Sequence, residues 1–299
     1  MATFAAIGSW SSTETPSADK LSSHAKNALI LQADFAGLVM TGVARSVSSD
    51  IEIFNVRPLI PLYDIKSASA SLAYNAQTWP AGTVFVSVVD PGVGTKRKSV
   101  VLETKNHLYF VSPDNGSLHG PAKKYGVSAV REIDENINRR PGSDWAHTFH
   151  GRDVYSYTGA RLAAGVISFE QVGPLLEAKV LKLDILDGTF NNGVFEGYVS
   201  GGTGRLGNIT LSIDRHLFAQ GDPVFGEEFT VTIRHKDSVV FEQNVPYARS
   251  FGSVAVGENL LFVDSSGNVS LAVNQGNFAQ SFDIDYGADW TISIKKAQP

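Results

Sequence analysis

Three side chains of complementary chemistry fall where a chain can build a site. Asp90 ends the run at 83–89, TVFVSVV, whose β-branched and aromatic residues read as a buried strand. Pro91 has no N–H and cannot continue that strand, and Gly92 and Gly94 allow a tight turn that leaves room for a ligand. Open α/β sheets place their ligands at the carboxyl ends of such strands. Arg97 follows in TKRKS, and a hairpin-like return into a strand over 100–103 brings it back towards Asp90. A carboxylate beside a guanidinium can orient a small nucleophile or accept its proton. A solvated surface ion pair explains the same two residues. His150 lies in the segment HTFHGRD at 147–153, just before a helix expected over 154–164. Asp153 is placed to cap that helix and Gly165 to end it. His147 and His150 are three apart, and with Asp153 and Asp90 they define a metal-dependent alternative. The glycine at 151 argues against a helix there, and His147 reads as a residue that satisfies a backbone group.

These residues need elements to hold them. A strand over 28–31 leads to Asp34 at its carboxyl end, followed by a helix over 36–47 and a strand over 51–56. Pro58 and Pro61 break the chain before a helix over 64–77. The Asp90 strand comes next, then a strand over 108–112 closed by Pro113-Asp114-Asn115-Gly116, a strong turn signal. A short helix over 118–125 and a strand over 129–133 continue the alternation, which predicts an α/β domain with a mainly parallel sheet over 28–187. From about residue 183 helical periodicity disappears. Short apolar runs at 194–199, 209–213, 229–233, 239–241, 260–263, 269–273 and 290–294 are separated by Gly, Asp and Asn. They predict a smaller antiparallel, barrel-like β-domain over 193–299. Gly201-Gly202-Thr203-Gly204 reads as a hairpin turn, because a strand rather than a helix follows it. Residues 1–27, rich in Ser and Thr, read as a tail.

With 299 residues, 43% of them hydrophobic, the chain can bury two cores. Its formal net charge of −5 argues against a generic binder of the nucleic-acid backbone, which is normally basic. There is no cysteine, so disulfides, thiolate metal sites and cysteine nucleophiles are excluded. No apolar run reaches the length of a membrane span, and the first residues lack the basic and apolar regions of a signal peptide. The expectation is a cytoplasmic protein with neither a membrane nor a nucleic-acid partner.

In combination, DPGVGT at 90–95, PDNG at 113–116 and TFHGRD at 148–153 resemble the S-adenosylmethionine hydroxide adenosyltransferases, water-using relatives of the adenosyl fluorinase and chlorinase. The resemblance runs from about Ala28 to Lys296. It implies an amino-terminal α/β domain, a carboxyl-terminal β-domain, and a homotrimer with active sites at subunit interfaces. It implies no cofactor and no metal: S-adenosyl-L-methionine is the small-molecule substrate, hydrolysed to adenosine and L-methionine. The family's catalytic set falls on Asp90, Arg97 and His150, its ribose-binding aspartate on Asp34, and its stacking aromatic residue on Tyr63. Asn115 and Gly151 fall among the substrate-contacting positions. In the β-domain the adenine-reading pair falls on Gly207 and Asn208. The backbone covering the base falls on Ser265 and Ser266, with Val273, Asn274 and Gln275 on the next strand. Two departures stand out. The family's loop after Asp34, with its second aspartate, is shortened here, and Thr203 replaces an aspartate ahead of the Gly-Asn pair.

Three other readings remain beside the hydrolase. One is a halide-using adenosyltransferase, whose relatives carry a serine at the position of Gly151 and an uncharged residue at that of Asp90. Another is the metal-dependent hydrolase above. The last is a non-catalytic nucleoside-binding protein, which the shortened loop keeps open.

Overall fold

The apolar runs at the centre of the amino-terminal part are strands buried on both faces. The computed structural model describes residues 28–185, 187–202 and 206–298, so the tail expected over 1–27 and the position of Thr203 lie outside the described residues. The chain divides into two compact units between Leu183 and Asp184. The first unit contains β1 (Ala28–Ala33), α1 (Leu38–Val47), β2 (Glu52–Asn55), α2 (Ile65–Asn75), β3 (Val84–Val88), β4 (Ser99–Thr104), β5 (Tyr109–Pro113), α3 (His119–Tyr125), β6 (Val127–Glu132), α4 (Glu135–Asn138) and α5 (Ser156–Ala163). Its strands form one sheet in the order β2-β1-β3-β5-β4-β6. β2, β1, β3 and β5 are parallel, and β4 runs against both β5 and β6.

Every residue of β1 and β3 is buried. Successive side chains of a strand point to opposite faces. Leu29, Leu31, Val84, Val86 and Val88 therefore pack on one face with Met40 and Ala44 of α1 and Ala160 and Ala163 of α5. Ala28, Ile30 and Phe85 pack on the other face with Leu72 of α2. A strand covered on both sides loses the hydrophobic–polar alternation, and that is why these segments read as unbroken apolar runs.

Three details depart from the sequence reading. β5 lies between β3 and β4, so the return from Asp90 to Arg97 is no hairpin: it crosses from one neighbour of β5 to the other. The turn itself uses Gly94, at φ 78, as its left-handed residue, whereas Gly92 keeps an ordinary φ. Asp153 does not cap the helix after HTFHGRD. A π-helical turn, Gly151–Tyr155, begins earlier and runs into α5, so Asp153 lies inside it with His150 at the capping position. Gly165, at φ 67, follows the end of α5 as expected.

The second unit contains β7 (Thr189–Asn191), β8 (Val194–Gly201), β9 (Ile209–Asp214), α6 (Arg215–Phe218), β10 (Glu228–His235), β11 (Ser238–Pro246), β12 (Asn259–Val263), β13 (Asn268–Val273), α7 (Phe278–Ser281) and β14 (Gly287–Lys296). Its sheet has the order β11-β10-β14-β8-β9-β13-β12, with β7 beside β8 and every named pairing antiparallel. Tyr247, just past β11, bridges Leu261 of β12, and the Ala248 N–H donates to the Leu261 carbonyl at 2.8 Å. This contact between the two end strands makes the sheet a nearly closed barrel. Its interior is filled by alternate residues such as Phe229, Val231 and Ile233 of β10 and Ile209, Leu211 and Ile213 of β9. Among the described residues no helix is long and apolar enough to cross a membrane.

Candidate active site

Asp90 is the second residue past β3, and the turn behind it is held by the Val93 N–H donating to the Asp90 carbonyl at 3.2 Å. Arg97 stands two residues before β4. Its Nε donates to Asp90 Oδ1 at 2.9 Å and its Nη2 to Oδ2 at 2.5 Å, a two-pronged pair whose side chains are only 10% and 6% exposed. Such a fork fixes the plane of the carboxylate as well as its position. Nη1 donates to Ser99 Oγ at 3.1 Å, and that hydroxyl pairs with the Tyr155 phenol at 3.0 Å. The Arg97 guanidinium also sits over the Tyr155 ring, 5.6 Å from its centroid. Burial works against the Arg97 charge, but the Asp90 hydrogen bond and the neighbouring carboxylates outweigh it and hold the guanidinium above its ordinary value. Burial pushes the Tyr155 phenol far up, so it stays protonated.

His150 completes this cluster. Arg97 Nη2 lies 3.1 Å from its Nδ1, and Arg139 Nη2 lies 3.5 Å from its Nε2. The ring is buried, and burial is the largest influence lowering its pKa; Glu135 opposes it, Arg97 and Arg139 add to it, and Asp90 opposes it. The net shift is downward, so His150 is neutral at neutral pH. Glu135, Arg139, Ser99 and Tyr155 were not singled out from the sequence. The i,i+4 spacing of Glu135 and Arg139 was a signal, but α4 spans four residues, too few to show a helical period.

Asp153 is fully buried and holds Arg140 Nε at 2.8 Å and Arg152 Nη2 at 2.7 Å. Burial tends to raise its pKa, and the hydrogen bonds from Arg152 and Arg140 overcome that and lower it. This carboxylate therefore anchors the HTFHGRD segment. His147 is exposed. Among the described residues no group of three His, Asp or Glu side chains is arranged to hold a metal ion.

The other candidates of the first unit lie close to strand ends. Asp34 directly follows β1, and its Oδ2 accepts the Tyr63 N–H at 2.9 Å. Tyr63 takes a left-handed φ of 64 and is 63% exposed. A non-glycine residue in that region is strained and persists where its surroundings hold it; here Asp34 supplies the hold. Asn115 is turned inward: its Nδ2 donates to the Val89 carbonyl at 2.8 Å, and its Oδ1 accepts from the Ser117 hydroxyl at 2.8 Å. It braces the end of β5 against the end of β3. Gly151 is packed so closely that a Cβ there would lie 2.9 Å from Val88 Cγ1 and 3.2 Å from Phe35 Cζ.

The second unit carries the remaining candidates. Gly207 has a φ of 70, and a Cβ there would collide with Asn277, so only glycine fits; half-buried Asn208 follows it. Ser265 is exposed, whereas Ser266 is engaged by Asp264, whose Oδ1 takes both its N–H at 2.8 Å and its hydroxyl at 2.5 Å. Val273 ends β13. Asn274 is buried with its amide on the Val254 carbonyl at 2.9 Å, and exposed Gln275 takes a left-handed φ of 58.

Comparison with known proteins bears on the family and the fold. Residues 30–173 match the family model described as SAM hydroxide adenosyltransferase N-terminal domain, and residues 205–291 match its C-terminal domain. An (R)-S-adenosyl-L-methionine hydrolase of Salinispora tropica is 33% identical over 82% of this chain and 88% of its own length. A fluorinase of Actinopolyspora mzabensis is 22% identical over the same shares. The solved structure of an uncharacterized conserved protein from Thermotoga maritima superimposes with a TM-score of 0.80, at 31% identity, over 90% of this chain and all of that one. Two matching domains in the expected order, on a fold with the forked pair at the end of β3, place this chain in the SAM hydroxide adenosyltransferase family.

Proposed function

We propose that this protein hydrolyses S-adenosyl-L-methionine to adenosine and L-methionine, with water attacking the ribose 5′ carbon. The observation that carries the reading is the buried Asp90–Arg97 fork with neutral His150 against the same guanidinium nitrogen, in a chain of this family. A sulfonium leaves as a neutral thioether, so departure needs neither an acid nor a metal. The protein must hold one water in line with the breaking C–S bond, about 3–3.5 Å from carbon, and keep other water out. A carboxylate offers about four acceptor sites; Arg97 takes two, which leaves Asp90 able to orient the nucleophile. As the C–O bond forms and the C–S pair leaves with sulfur, the attacking water becomes a strongly acidic oxonium, and Asp90 takes its proton. Arg97 and His150 keep the carboxylate aimed. Asp34 binds the ribose hydroxyls and Tyr63 stacks beside the adenosyl group. Gly207 and Asn208 read adenine, with Ser265, Ser266, Val273 and Gln275 around the base.

The packing at Gly151 separates this reading from halide transfer. There is no hydroxyl donor at that position, and Val88 occupies the space one would need. An anion 4 Å from the Asp90 carboxylate meets repulsion of about 4 kcal/mol at an effective dielectric of about 20, which Arg97 only partly offsets. Curated relatives above 30% identity that are named (R)-S-adenosyl-L-methionine hydrolase support the same choice.

The test is to incubate chelator-treated protein with S-adenosyl-L-methionine in oxygen-labelled water containing chloride and fluoride. Equimolar adenosine and methionine, with label on the 5′ oxygen, is the expected result. A 5′-halo-5′-deoxyadenosine as the main product would make it a halogenase, and tight binding without turnover would make it a binding protein. The assembly belonging to this reading is a homotrimer with sites at subunit interfaces. Light scattering should find three chains, and a fully active monomer would contradict it.

A further inference from the structure

The cluster around Asp90 extends one layer further, to Glu135 and Arg139. α4 is short but firmly held. Asn138 is fully buried, its amide donates to the carbonyls of Gln171 and Val172 at 3.0 and 2.8 Å, and its Oδ1 accepts from Arg161 Nη1 at 2.7 Å. Arg139 extends from this anchor with a side chain only 9% exposed. Its Nε and Nη2 donate to Glu135 Oε2 at 3.1 and 2.5 Å. Its Nη1 donates to the Ala146 carbonyl at 3.1 Å, tying down the segment that leads to His150.

Both ring nitrogens of His150 therefore face guanidinium groups, Nδ1 towards Arg97 at 3.1 Å and Nε2 towards Arg139 at 3.5 Å. A neutral imidazole accepts on one nitrogen only. The shorter contact assigns acceptance to Nδ1 and the proton to Nε2. A charged ring would put a third cation between two others. The groups facing the ring are Arg97 and Asp90 from the β3–β4 connection, Glu135 and Arg139 from α4 and its end, and Tyr155, whose ring centroid lies 6.4 Å away. Glu135 Oε1 is 4.0 Å from Nδ1.

We propose that Arg139, oriented by Glu135, is a positioning residue whose nearby charge keeps the His150 ring neutral, so that the ring can accept from Arg97 and hold it on Asp90. The proposal rests on the hydrolase reading for its effect on turnover, but not for its effect on the histidine. The two residues act on His150 with opposite sign: Arg139 opposes protonation and Glu135 favours it.

The experiment follows the His150 ring by NMR titration in the full chain, with His150→Asn used to assign its signal, alongside pH profiles of kcat/KM. In Arg139→Gln the His150 pKa should rise, the acid limb of the profile should move up, and kcat should fall by roughly tenfold to a hundredfold with KM nearly unchanged. In Glu135→Gln the His150 pKa and the acid limb should move down. Arg139→Lys, which keeps the charge and loses the fork, should return the titration towards that of the wild type. Shifts of the same sign in Arg139→Gln and Glu135→Gln, or none, would overturn the proposal. Absence of S-adenosyl-L-methionine turnover in the wild type would overturn the hydrolase reading, and the histidine titration would still decide this one.

Discussion

One nitrogen of Arg97 serves both Asp90 and His150: Nη2 lies 2.5 Å from Asp90 Oδ2 and 3.1 Å from His150 Nδ1. The carboxylate's aim is thus set by a guanidinium that is itself pinned by a residue fifty-three positions along the chain. Asp90→Asn should lower kcat by about 10²-fold or more while the circular dichroism spectrum is kept, because the amide still fills the space but cannot accept the fork. Arg97→Ala should be worse for stability as well, by about 3–5 kcal/mol, since it strands a buried carboxylate. Turnover like that of the wild type in Asp90→Asn would remove Asp90 from the mechanism.

The depressed pKa of His150 makes stability depend on pH, and the sign follows from burial, the first of its causes. A base whose folded pKa lies below its unfolded value contributes fully above the unfolded value, about 6.5. That contribution is lost as pH falls through the folded value. Thermal unfolding should therefore show the wild type losing stability relative to His150→Asn below about pH 6.5, with no change in the difference above it. A difference that stays flat on the acid side would show that the ring carries no such linkage.

Gly151 is tied to Val88 by space. Gly151→Ala should cost about 1–3 kcal/mol, as overpacking does when the neighbour is stiff and β-branched. In a Gly151→Ala, Val88→Ala double variant the combined loss should be smaller than the sum of the two single losses, because the collision at 2.9 Å is gone. Strict additivity in chemical denaturation would mean that some other contact sets the need for glycine.

Asp34 holds Tyr63 through one oxygen, which leaves the other for ribose. A 2′-deoxy substrate analogue should bind the wild type more weakly by about 1.5–3 kcal/mol, the worth of a charged hydrogen bond. Asp34→Ala should discriminate far less. Equal discrimination by both proteins would leave Asp34 only its role under Tyr63.

Much of this was legible in the residues. The run at 83–89 announced a buried strand and the run at 28–31 a first strand, and the abrupt Asp90-Pro91 ending located the carboxylate. The β-domain showed through its short apolar runs separated by Gly, Asp and Asn. What stayed hidden depends on contacts distant in sequence. Nothing local distinguishes Asp153 as an anchor for two arginines from Asp153 as a helix cap, because a π-helical turn leaves no periodic trace over five residues. Nothing local to Asn115 shows that its amide donates to the Val89 carbonyl, at the end of another strand. Glu135 and Arg139 gain meaning only when the chain returns at His150.

The placement of β5 has a consequence for when the site comes into being. Asp90 and Arg97 are close neighbours in sequence, but the strand that lies between theirs in the sheet, β5, is made after both. Asn115 then ties the end of β5 to Val89, while the Asp114 N–H takes the Lys98 carbonyl at 2.9 Å. A growing chain that has reached Arg97 therefore holds both partners of the fork without the wedge that sets their separation. The pair is made before its own frame, and the expected outcome is that its geometry is set only when β5 docks. In pulsed hydrogen exchange the amides of β5 and of the Asp90 turn should gain protection in one step.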